Sequence, residues 1–214
     1  MSQTLPSQPQ YPAHAGRPEH EVDATWWEEQ YRKGEAFWDH GAPSPGLVDF
    51  LAQETYTPGA VLVPGCGRGH DCRALAAHGF AVTGQDIAPQ AVAEARALAA
   101  AEAPSIIYAV GDFLKLPAEF QGQFDWLFEH TCFSALNPDW REQYAASVAA
   151  ALRRGGHYLG VFYNIQPESG PPFGTTRAEL VDRFSPRFSL QLEKVPRSFP
   201  NREGKELLML WRKL

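Results

Sequence analysis

The stretch from Leu62 to Cys72, "LVPGCGRGHDC", carries a strand-like apolar run into a helical pattern through glycines at positions 65, 67 and 69. Glycine lets a backbone turn sharply and approach a ligand closely. A dinucleotide-binding loop reads G-x-G-x-x-G. Here His70 stands where the third dinucleotide glycine would fall. The loop still follows a strand and opens a helix, the place where open α/β sheets hold nucleotides.

Outward from this loop the chain alternates. "AVLVP" (60–64) reads as a short buried strand. "HDCRALAAHG" is a helix closed by Gly79, and "FAVTGQD" a strand ending in Asp86. An Ala-rich helix (88–102) leads to "SIIYAVGD", a third strand that closes near Asp112, and "FDWLFEH" is a fourth. The spacing predicts a helix from Asn137 as cap to Gly155-Gly156 as stop, then "HYLGVFYN" as strand five. "TTRAELVDRFS" is helical. "FSLQLEKVP" and "KELLMLWRKL" are strands joined by "RSFPNREG", read as a turn-rich connection.

This order predicts an α/β fold: a doubly wound, mostly parallel sheet of seven strands with helices on both faces. The final connection is too short for a crossover, so the sheet ends in a C-terminal antiparallel hairpin. Upstream, Asp23 caps a helix that Gly34 stops. Ser44 or Pro45 starts a second, with Leu47, Val48 and Leu51 inward. Residues 1–22 lack apolar periodicity and read as a tail or lid, leaving 23–214 as a single domain.

Of 214 residues, 44% are hydrophobic and 21% charged, an ordinary globular composition. A formal net charge of -6 argues against a nucleic-acid binder. The cysteines, Cys66, Cys72 and Cys132, form no C-x-x-C pair and read as reduced thiols of a cytoplasmic protein. We expect no membrane span and no signal peptide. The histidines are scattered without ligand spacing, so no metal is expected.

Asp86 and Asp112 close strands two and three on the edge of the sheet where ligands sit. With the G-x-G-x-G loop and the terminal hairpin, they resemble the class I methyltransferases that use S-adenosylmethionine. The resemblance narrows at "VLVPGCGRGHD", "FEHTCFSALNPDWR", "GVFY", "GPPFGTT" and "WWEEQYRKGEAFWDHGAPSP". These look like the thiopurine and thiol/halide S-methyltransferase family, from Trp26 to Leu214. The resemblance implies a Rossmann-like fold, S-adenosylmethionine as cofactor and S-adenosylhomocysteine as product. It implies contacts to the cofactor from Trp38, Gly65, Gly67, Asp86, Ile87, Asp112 and Phe113. It places Glu129, His130 and Thr131 at the methionine end, and lets "PESGPPFGTT" close over the acceptor.

For the transfer itself, Tyr163 ends strand five: either its phenol hydrogen-bonds the acceptor, or it is an ordinary strand-end aromatic. His130 either takes a proton from the acceptor, which suits a histidine's range, or is a hydrogen-bonding or packing histidine. Cys132 has no oriented base beside it and reads as pocket lining or core. The expected reaction is in-line methyl transfer to a small thiol, bisulfide or similar soft nucleophile. The alternative is the same fold with an oxygen, nitrogen, selenium or tellurium acceptor. An NAD-dependent oxidoreductase and a non-catalytic binding protein are remote alternatives. The expected partner is a small-molecule acceptor, with no nucleic acid and no membrane, for a monomer or weak dimer.

Overall fold

The computed structural model describes residues 22–100, 105–167 and 169–214. Residues 1–21 of the expected tail lie outside them. Seven strands form one sheet in the order β3-β2-β1-β4-β5-β7-β6. β1 (Ala60–Pro64), β2 (Ala81–Asp86), β3 (Ile107–Val110), β4 (Phe124–His130) and β5 (Leu152–Tyr163) are mutually parallel. β7 (Glu206–Lys213) runs antiparallel to both β5 and β6 (Phe188–Lys194), so the expected hairpin closes the sheet.

Helices cover both faces, as the unbroken apolar strands require. On one side α2 (Pro45–Gln53), α3 (His70–Ala77) and α4 (Pro89–Ala99) bury Leu47, Phe50, Leu75 and Val92 against β1 and β2. On the other, α5 (Cys132–Ala135), α6 (Arg141–Ala151) and α7 (Arg177–Phe184) bury Phe133, Tyr144, Val148 and Phe184. α1 (Ala24–Lys33) begins at Asp23, whose carboxylate accepts the Trp26 amide at 2.9 Å, and ends at Gly34 with φ 71°.

Two local expectations are corrected. Val48 is 36% exposed, and Phe50 takes the inward place in α2 beside Leu47 and Leu51. Gly155-Gly156 do not stop α6, which ends at Ala151. They lie inside β5, where the register against β4 shifts between Phe124 and Trp126. Such an irregularity absorbs extra residues on one strand. Asn137 does cap a turn, accepting the Asp139 amide at 3.0 Å, but of a 3-10 turn over Pro138–Trp140 that precedes α6.

The sheet order changes direction between β1 and β4. The crevice at their C-terminal ends is the switch point of an open sheet.

Candidate active site

A cavity of about 760 Å³ opens there. One half is built by backbone. After β1, Gly65 (φ 60°), Gly67 (φ 51°) and Gly69 (φ 71°) all occupy the left-handed region. A Cβ at Gly67 would stand 2.9 Å from the Tyr31 hydroxyl, and one at Gly65 2.8 Å from the Cys132 sulfur. Glycine is therefore required twice, for conformation and for space.

Asp86 fixes this loop from the end of β2. Its Oδ2 accepts the Gly67 amide at 2.8 Å and its Oδ1 the Ala88 amide at 2.9 Å. Burial pushes its carboxyl up, against the pull of these amides. Asp112 accepts the Leu114 amide at 2.9 Å, capping the 3-10 turn Phe113–Lys115. Ile87, Asp112 and Phe113 all line the cavity.

A lid of aromatic side chains faces the loop. Trp27 meets Trp26 and Trp38 edge-on, with ring centroids 4.7 and 5.0 Å apart. The Trp38 indole donates to the Tyr31 hydroxyl at 3.2 Å. Asp39 ties the lid to the loop, accepting Arg68 Nη1 at 2.9 Å and lying 3.2 Å from His70 Nε2. Burial would raise the Asp39 carboxyl, yet His70, the Gly41 amide and Arg68 hold it well below the usual carboxylate range.

The other half is built by charged side chains from separate elements. His130 ends β4. Its Nε2 lies 3.2 Å from Glu206 Oε1, and its Nδ1 lies 3.8 Å from Asp71 Oδ2, an ion pair rather than a hydrogen bond. Burial alone would lower its pKa; the two carboxylates overcome this and raise it to about 9. Protonated, Nε2 donates to Glu206, so Arg202 Nη1, 3.3 Å from Nε2 and 3.4 Å from the same oxygen, shares that oxygen. The Arg202 guanidinium lies 5.0 Å from the centre of the Tyr163 ring. Phe199 stacks on His40 at 4.0 Å.

The family model for thiopurine S-methyltransferase matches residues 22–207. The chain belongs to the thiopurine S-methyltransferase family. It is 30% identical over 199 residues to thiocyanate methyltransferase 1 of Brassica oleracea, covering 90% of this chain and 87% of that one. It is 27% identical over 187 residues to thiopurine S-methyltransferase of Pseudomonas fluorescens, covering 80% and 86%. Among solved structures, the 1,6-didemethyltoxoflavin-N1-methyltransferase of Burkholderia thailandensis, with S-adenosylhomocysteine bound, matches with a TM-score of 0.73 at 22% identity. That match covers 97% of this chain and 99% of that one, and shows the shared Rossmann-like fold. The chain is thus an enzyme of the methyltransferase class.

In this family member, most residues singled out from the sequence converge. Trp38, Gly65, Gly67, Asp86, Ile87, Asp112, Phe113, His130, Thr131 and Tyr163 all line the one cavity. Glu129 does not. It is 0% exposed, and its Oε2 accepts the Phe133 amide at 3.0 Å beneath the cavity floor. Burial raises its carboxyl to about 7 against that bond. It caps the turn in which Thr131 takes φ 69°, the one positive φ of a non-glycine among the described residues. The sequence reading also missed Phe199 and Arg202. Both sit around the 3-10 turn Pro200–Arg202, inside what read as a plain hairpin connection.

The ordinary histidine range expected of His130 is corrected as well. Asp71, from α3, and Glu206, from β7, lie far from it in sequence, and together they keep it cationic at neutral pH. Among the described residues no cluster of His, Cys, Asp and Glu has the form of a metal site. No helix among them is long and apolar enough to cross a membrane.

Proposed function

We propose that this methyltransferase passes a methyl group to a small, soft nucleophile, a thiol, bisulfide or comparable anion. The donor is S-adenosylmethionine, which supplies an electrophilic methyl group when bound and leaves as S-adenosylhomocysteine. The residues present fit it. Gly65 and Gly67 leave a cradle that a Cβ would fill, beside a buried carboxylate, in a cavity within the range of ligand pockets. Trp38, Gly65, Gly67, Asp86, Ile87, Asp112, Phe113 and Thr131 would hold it. The aromatic lid excludes water, and the loop and lid together orient the two reactants for in-line transfer.

The observation that carries the acceptor class is the placement of His130 between Asp71 and Glu206. Pinned between Asp71 and Glu206, it offers a proton rather than a vacancy for one. An acceptor that must lose a proton in the site finds no base in His130. An acceptor that arrives ionised needs none, and sulfur nucleophiles are strong once deprotonated. The free cysteines and the net charge of -6 suit a cytoplasmic enzyme acting on small molecules rather than nucleic acid.

The test is S-adenosylhomocysteine formation across bisulfide, small and aromatic thiols, thiopurine, iodide, selenite and tellurite. Turnover with sulfur acceptors is expected. Turnover confined to hydroxyl or amine compounds would overturn the acceptor class.

A further inference from the structure

Glu129 is a buried titratable group that the transfer reading leaves unused. It stands opposite Gly160 of β5, which has no side chain, and Tyr158 is its diagonal neighbour on the same face of the sheet. That face is aromatic. Ring centroids of Phe133 lie 5.6 Å from Tyr144 and 5.8 Å from Phe162, and Tyr158 lies 5.9 Å from Phe162. Glu129 Oε2 accepts the Phe133 amide. Oε1 and the Tyr144 and Tyr158 hydroxyls are buried without hydrogen-bond partners among the described residues. Two states of the carboxyl compete: burial favours the neutral form, while the Phe133 amide and cationic His130 favour the ionised one. The turn that Glu129 holds is where the two halves of the cavity meet. Thr131 and Cys132 line the cavity. The Cys132 sulfur, 2.8 Å from where a Gly65 Cβ would stand, abuts the glycine loop. On the other side the Ser134 carbonyl accepts the Phe173 amide at 2.7 Å, which ties the turn to the Pro171-Pro172 wall. Thr131 keeps its left-handed φ of 69° only while such surrounding bonds hold it.

We propose that Glu129 is a positioning residue for the cavity, whose carboxylate must be ionised for the Thr131–Cys132 turn to hold the arrangement that binds the donor. The inference rests on the donor reading above and is independent of the acceptor class. The titratable groups facing Glu129 keep their charge around neutrality. His130, on β4, stays cationic, and Glu206, on β7, stays anionic. Burial holds the Cys132 thiol of α5 and the Tyr144 and Tyr158 phenols of α6 and β5 well above their ordinary values, so they stay neutral. Glu129, raised to about 7, is the member of this set that titrates there. Lowering the pH through 7 removes its charge, weakens its hold on the Phe133 amide and lets the turn relax. A donor that needs the turn binds more tightly at pH 8 than at pH 6, and its binding releases a proton.

The experiment measures S-adenosylhomocysteine affinity by calorimetry at pH 6, 7 and 8, at constant ionic strength, for the wild type and Glu129→Gln. Wild-type affinity is expected to rise about tenfold from pH 6 to pH 8. Glutamine keeps the size and lacks the charge, so the variant should stay near the wild type's pH 6 affinity throughout. Titration of the ligand and of other groups is common to both proteins, so the difference between the two profiles reports Glu129. A flat wild-type profile overturns the proposal. So does a variant that keeps the wild-type slope at uniformly lower affinity, which marks a structural cap and nothing more. Should Glu129→Gln fail to fold, wild-type calorimetry in two buffers of different ionisation heat decides. Release of about half a proton per ligand at pH 7 supports the proposal, and release of none overturns it. If the wild type binds no S-adenosylhomocysteine at any pH, the donor reading itself fails and the proposal falls with it.

Discussion

The two halves of the cavity are made of different materials. The loop half is backbone: three left-handed glycines and two carboxylates that hold amides, drawn from 65–69, 86 and 112. The half facing it is charged and polar side chains: His40, His130, Tyr163 and Arg202 come from the lid, two strand ends and the hairpin connection. Backbone shape is set locally by residue type. A charge cluster exists only once the sheet has brought its members together. The first half should therefore fail abruptly when a glycine is replaced, and the second should be tunable by small steps.

The largest expected effect tests the backbone half. Gly67→Val places a branched side chain at φ 51°, with its Cβ 2.9 Å from the Tyr31 hydroxyl. The left-handed backbone alone costs about 1–2 kcal/mol, and the clash falls on the lid. Calorimetry should find S-adenosylhomocysteine binding abolished. Gly122→Ala is the control: at φ 65° it pays the backbone cost with nothing within 4 Å, far from the loop in sequence. Normal binding by Gly67→Val would remove the loop from the site.

Asp86→Ala comes next. Its oxygens hold the Gly67 and Ala88 amides, so its loss should cost about 2–3 kcal/mol of stability in urea unfolding and weaken donor binding as well. If stability holds while donor affinity falls, Asp86 serves the ligand alone. The boundary between scaffold and site in this half then moves.

The same contrast explains what was legible in the sequence. Strand and helix order was readable because periodicity and glycine punctuation are local. The loop half of the cavity followed from Gly65, Gly67, Asp86 and Asp112, each at the end of a recognisable element. Gly155-Gly156 misled because a double glycine serves a strand irregularity as well as a helix stop. The capping role of Glu129 was not legible because β4 is buried along both faces near its end, so its position does not tell an outward side chain from a capping one. Arg202 left no signal at all. A single 3-10 turn has no periodicity, and its partners lie on β4 and β7, with Glu206 only four residues on but His130 seventy-two residues back.

The charge cluster should set a pH dependence of its own. The His130 pKa is raised from 6.5 to about 9 in the folded protein. The stabilisation is therefore complete below about 6.5 and is lost as pH rises through about 9. The full shift corresponds to roughly 3 kcal/mol, and sharing with Glu206 and Asp71 makes a smaller figure, about 2 kcal/mol, the fitting expectation. Unfolding free energies measured from pH 7 to 10 should fall accordingly, and His130→Gln should flatten the slope. An unchanged slope in that variant would place the titration elsewhere and leave His130 free of its carboxylates.

The smallest expected effect separates ring from hydroxyl at Tyr163, in the charged half. Tyr163→Phe keeps the ring beneath the Arg202 guanidinium, 5.0 Å away, and removes only the phenol. If Tyr163 acts as a support, acceptor KM should change less than about fivefold, roughly the worth of one neutral hydrogen bond, with kcat and donor affinity unmoved. Tyr163→Leu, which removes the ring and its attraction for the guanidinium, should then cost more than the phenylalanine. The reverse ranking, with kcat lost in Tyr163→Phe, would give the phenol a part in the transfer itself. A residue on the charged half would then be as intolerant of change as the glycines, and the contrast between the halves would narrow to their order in the sequence.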